Sequence, residues 1–161
     1  MILICRTSAI LFSIVLSFSA VPSIQRSRQV SLYFGPYYVN GPSPNNMPEF
    51  GYFWINAGKQ PSNPKIGTSV SVGGYLHTKD EIDYKFANAK LTMGNSGFDR
   101  LTFTTQKIKG TLYRFEGSFL GEPRFVASTH NHTKLHGRLV KEQSDRPLSE
   151  ATVYFYVRAE E

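Results

Sequence analysis

The stretch 129–137, THNHTKLHG, holds three of the chain's four histidines: His130, His132 and His136. Their even spacing puts all three imidazoles on one side of an unbroken strand, because successive strand side chains alternate in direction. Imidazoles grouped in this way can bind Zn²⁺, Cu²⁺ or Ni²⁺ and leave an open position for a water. The neighbouring residues argue otherwise. Thr129, Asn131 and Thr133 are all polar, so the opposite face has nothing to anchor the segment to a core. The apolar pattern restarts only at Leu135, and no nearby carboxylate would orient the rings. The preferred reading places His130 and His132 in a solvated loop and His136 on the outer face of the following strand. Metal binding by His130, His132 and His136 is the sharper alternative. No cofactor is otherwise expected.

A second group is aromatic. Tyr33, Phe34, Tyr37, Tyr38, Phe50, Tyr52, Phe53 and Trp54 cluster within a short span broken by proline and glycine. Flat rings with polar tips suit sugar stacking, peptide binding or an apolar ligand cavity, although most rings in a small domain serve the core. The ligand-binding candidates are Tyr37, Tyr38 and Trp54. Tyr37 and Tyr38, flanked by turn residues, are expected to be the exposed pair.

The remaining chemistry-bearing groupings are weak. Asp80, Glu81 and Asp83 lack the glycine and the spread of oxygen ligands of a dedicated calcium loop. Ser62 and Lys65 match a Ser-x-x-Lys pattern, but Pro64 between them prevents the helix that would align the pair. No general base stands beside a nucleophile, so no catalytic residue is assigned and the chain is read as non-enzymatic.

The elements that position these residues read as strands. Prolines 36, 42, 44 and 48 exclude a helix in the aromatic front, leaving strands near 30–34 and 50–56 with a short extended piece at 37–39. Val70, Val72 and Leu76 alternate with polar residues. Leu101, Phe103 and Thr105, then Tyr113, Phe115 and Phe119 after the KIKG turn, form an antiparallel hairpin with one buried side. Leu135, Gly137 and Leu139 share a face, as do Val153, Phe155 and Val157. Segment 76–93 is open to two readings. Thr78 and Glu81 have capping-box spacing, with Ile82, Phe86 and Ala89 at helical intervals beyond. The favoured reading is a strand with Tyr84, Phe86 and Asn88 on one face. The fold class is therefore all-β, a single antiparallel β-sandwich or small β-barrel, with one short helix near 79–91 as the alternative for that segment.

The opening residues have the layout of a secretory signal peptide, with Arg6 ahead of the apolar run AILFSIVLSF. The expected organisation is a leader over 1–23, cleaved between 19 and 23, and one β domain over 24–161. The protein is expected to be secreted or periplasmic, with no stable membrane span after cleavage. The only cysteine, Cys5, falls within the leader, so packing rather than disulfides must stabilise the mature domain. A net charge of +6 comes from scattered lysines and arginines. Without a basic run or recognition motif, a nucleic-acid partner is not expected.

Two short stretches carry resemblances. The Gly51-x-x-Trp54 spacing is similar to the Gly-x-Trp start of lipocalins, and 101–119 resembles a strand pair of periplasmic polyisoprenoid-binding barrels. Neither continues into those families' later motifs, and no site residue is carried over. Both imply that such a β-structure can contain an apolar ligand. The functional expectation is a non-catalytic exported binding domain acting at a surface or pocket, whose partner is a glycan or an apolar small molecule. The alternatives are a small barrel carrying a lipid or quinone-like ligand, and a histidine-dependent metal protein.

Overall fold

The computed structural model describes residues 30–59, 61–95, 97–121 and 133–157. The leader, His130 and His132 lie outside the described residues. The chain is one antiparallel sheet closed on itself. Its strands are β1 (Gly35–Val39), β2 (Phe50–Gly58), β3 (Ser69–Thr78), β4 (Asp83–Met93), β5 (Phe98–Thr105), β6 (Thr111–Phe119), β7 (Thr133–Gln143) and β8 (Arg146–Val157). They pair in chain order, and β1 also pairs with β8, with Tyr37 opposite Val157 and Tyr38 opposite Tyr156. Of the two expected architectures, the barrel is the one formed. Closure joins the first strand to the last over 37–39 and 155–157.

Period-2 alternation sets the inside of the wall. Leu76, Leu101, Phe103, Phe115, Leu135, Leu139, Val153 and Phe155 point inward and are buried, on the faces their sequence pattern indicates. Phe53, fully buried, lies within 4.9–5.8 Å, centroid to centroid, of Phe103, Phe115 and Phe155. Glycines on the same inward faces make room for these rings. A Cβ on Gly117 would lie 2.3 Å from Phe115 Cζ, and one on Gly137 would lie 2.7 Å from it. A Cβ on Gly74 would meet the Trp54 carbonyl at 2.0 Å and the Phe86 ring at 2.6 Å.

Segment 83–93 is a strand, the favoured of the two readings of 76–93, and two other sequence expectations are corrected. Thr78 and Glu81 build the β3–β4 turn, where Glu81 takes a φ of 59° and Thr78 Oγ1 accepts from the Ile82 amide. On β4 a bulge between Phe86 and Asn88 shifts the alternation by one. Tyr84 and Phe86 therefore face inward with Ala89 and Leu91, while Asn88 is exposed. Finally, Val30–Tyr33 is a short 3-10 turn rather than a strand. It sets Tyr33 edge-on against Phe98 and Phe119 and closes one end of the barrel.

The other end is closed by the β1–β2 connection. Met47 and Phe50 are fully buried there, and Asn46 donates to the Glu150 carbonyl. Two-residue turns with positive φ, Lys109–Gly110 and Ser144–Asp145, join β5 to β6 and β7 to β8 at this end.

Candidate functional site

The strand registers gather aromatic side chains on one outer wall. Pro36 opposes Trp54, and Trp54 opposes Tyr75. One step along, Tyr156 opposes Tyr38, Tyr38 opposes Tyr52, and Tyr52 opposes His77. Every member of this second row touches the next, at centroid separations of 5.7, 5.3 and 4.8 Å. Trp54 and Tyr75 lie 6.4 Å apart and near parallel, and Tyr52 joins the two rows through Tyr75. All of these rings are half-buried. Such amphipathic rings contribute apolar area while keeping a hydroxyl or ring nitrogen available.

Two of the three ligand-binding candidates belong to this wall, Tyr38 and Trp54. Tyr37 does not, and its expected exposure is corrected. Because β1 starts at Gly35, Tyr37 falls on the inward face, fully buried and stacked on Phe53 at 4.7 Å. Its hydroxyl donates to the Tyr33 carbonyl, and burial pushes the phenol well above its usual range. The sequence reading missed the partners on β3 and β8: Tyr75, His77 and Tyr156. Their outward register was visible. Their proximity to Tyr38 and Trp54 depends on barrel closure, which no local pattern encodes.

The wall is polar at one margin. His77 Nδ1 is 2.7 Å from Asp83 Oδ1, and its Nε2 is 3.7 Å from Glu81 Oε2. The Tyr52 hydroxyl is pushed up to about 12, first by burial, then by its hydrogen bond with Tyr75 and the nearby Asp83 and Glu81 charges. It therefore stays a neutral phenol. On β7, His136 stacks near Tyr154, with centroids 5.9 Å apart and planes at 16°. Its Nδ1 is buried without a hydrogen-bond partner among the described residues. His136 is on the outer face, as expected. Whether His130 and His132 approach it falls outside the described residues. Among those residues, no group of His, Cys, Asp and Glu could hold a metal ion.

A second polar group lies at the capped end. Glu49 Oε1 accepts from Lys141 Nζ at 2.7 Å and from the Tyr113 hydroxyl at 3.0 Å. Tyr84 packs edge-on against Tyr113 at 5.0 Å. Burial tends to raise the Glu49 carboxyl, but the bonds from Lys141, its own backbone amide and Tyr113 outweigh it, and the net shift is downward. Burial raises the Tyr113 phenol, as do the Glu49 charge and hydrogen bond. An ionised carboxylate already holding two donors and a phenol that resists ionisation form a closed, cohesive arrangement. The sequence did carry a signal here. Lys141 continues the inward alternation of Leu135, Gly137 and Leu139, and a lysine on an apolar face needs a partner.

The outer face running from β5 across β6 and β7 to the start of β8 is charged instead. Arg100 pairs with Glu116 at 3.3 Å, Arg114 with Glu142 at 2.7 Å, and Arg138 with Glu150. The two outer walls thus differ in chemistry, one aromatic and one ionic. No family model, curated protein or solved structure matches the chain.

Proposed function

We propose that this protein is an exported, non-catalytic binding domain that recognises a neutral glycan on its aromatic outer wall. The observation that carries the reading is the contiguous set Tyr38, Tyr52, Trp54, Tyr75, His77 and Tyr156, held half-exposed on a rigid sheet. A sugar chain offers apolar C–H faces and hydroxyls together. A surface of rings with polar tips matches both, and sites on sheets are held with little conformational cost. The buried rings packed against one another in the interior support outer-wall binding over storage of a lipid in the lumen. The ion pairs on the opposite wall support a domain that works in water rather than in a bilayer, whose barrels turn an apolar band outward.

The test is retention of the 24–161 domain on insoluble cellulose, chitin, curdlan and mannan. Retention on at least one of them is expected, weakened about tenfold or more by Trp54→Ala or Tyr38→Ala. Arg114→Ala on the ionic wall should bind as the parent does. The reading fails if nothing is retained, or if the aromatic variants bind unchanged. It also fails if those variants alter only the oligomeric state in light scattering, which would mark the wall as a self-association surface.

A further inference from the structure

His77 differs from the other rings of the wall because its hydrogen-bonding state is determined by its neighbours. Asp83 Oδ1, from β4, lies 2.7 Å from Nδ1 and as a carboxylate oxygen can only accept. Nδ1 therefore carries the proton, and in the neutral ring Nε2 holds a free lone pair. Glu81 Oε2, in the β3–β4 turn, is 3.7 Å from Nε2, beyond hydrogen-bond distance, on a side chain that is 86% exposed. From β2, Tyr52 covers one face of the imidazole at 4.8 Å. The residue before it, Gly51, keeps that strand close, since a Cβ there would lie 2.9 Å from the His77 carbonyl. The groups facing the ring are thus Asp83, Glu81 and the neutral Tyr52 phenol, and the His77 side chain is 20% exposed.

We infer that His77, oriented by Asp83, is the hydrogen-bond acceptor that fixes a bound glycan's position on this wall, and that its protonation releases the glycan. The inference rests on the glycan reading and adds its regulation. A sugar hydroxyl donates to Nε2 while the ring is neutral. When a proton is taken up, Nε2 becomes a donor and turns to the Glu81 carboxylate. The acceptor is then lost, and the Glu81 carboxylate competes with the sugar hydroxyl oxygen for the new N–H.

Two measurements test it. Calorimetric titration with soluble glucan, chitin and mannan oligosaccharides should show affinity falling about three- to tenfold from pH 8 to pH 5.5. His77→Gln should bind more weakly at pH 8, with little further loss at pH 5.5. Affinity that is flat with pH, or a fall that persists in His77→Gln, overturns the inference while leaving glycan binding intact. Absence of binding by every oligosaccharide at every pH overturns the glycan reading itself. Independently of any ligand, long-range ¹H–¹⁵N correlation at pH 8 should show His77 protonated on Nδ1. A proton on Nε2 would remove the acceptor and sink the proposal.

Discussion

Glu49 joins three distant parts of the chain through one carboxylate oxygen. It sits on the segment that caps the barrel, and its donors come from β6 and β7. The Glu49 and Lys141 side chains are 19% and 21% exposed, so the pair is only partly screened by water. Removing the charge by Glu49→Gln is expected to cost about 1–3 kcal/mol at pH 7, read from urea midpoints. The pH dependence follows from the lowered folded-state value. A carboxyl depressed on folding stabilises the native state above its unfolded value, and that contribution disappears as pH falls through the folded one. The gap between parent and variant should therefore be full at neutral pH and close under strongly acidic conditions, below the ordinary carboxylate range. A gap that stays constant down to pH 2 would show that Glu49 does not act through its charge.

Within the wall, strands β6 and β7 show how a ring-filled barrel fits together. Gly117 and Gly137 are opposed in register, and both leave space for the Phe115 ring. Gly117→Ala would place its Cβ 2.3 Å from Phe115 Cζ and 2.6 Å from the His136 carbonyl, so ring and backbone must both give. A loss of about 1–3 kcal/mol is expected, measured by thermal or urea unfolding. Combining it with Phe115→Leu should cost less than the sum of the two changes, because the smaller side chain relieves the clash. Strict additivity would show that the backbone contact dominates. At this scale the sequence was informative: Tyr113, Phe115 and Phe119 alternate cleanly, and the glycines fall on the same face. β4 was legible only in part. Its bulge at Phe86 and Asn88 shifts the later residues by one, and that shift depends on pairing with β5 rather than on any residue pattern in β4. The Thr78–Glu81 spacing misleads for a similar reason. A hydroxyl able to bond amides a few residues on serves a hairpin turn as well as a helix start.

Seen as one molecule, the barrel has an aromatic side formed by β8, β1, β2 and β3 and a set of ion pairs that runs from β5 across β6 and β7 to Glu150 at the other end of β8. The all-strand character and the inward faces were readable because alternation is local. The candidate site was not, because it depends on which strands become neighbours. Tyr38 meets Tyr156 only when the first strand pairs with the last. The same seam has a consequence for chain connectivity. Val157 lies opposite Tyr37, so the place where the sheet begins adjoins the place where it finishes. The order of strands around the ring should then matter more than where the polypeptide is cut. A circularly permuted gene, opened between the exposed Ser62 and Asn63 and joining Val157 to Val30 through a Gly/Ser linker, is expected to give the same barrel. Its near-ultraviolet dichroism should match the parent's, and its melting should remain a single cooperative transition. Loss of either would mean that this seam depends on the original chain order to form.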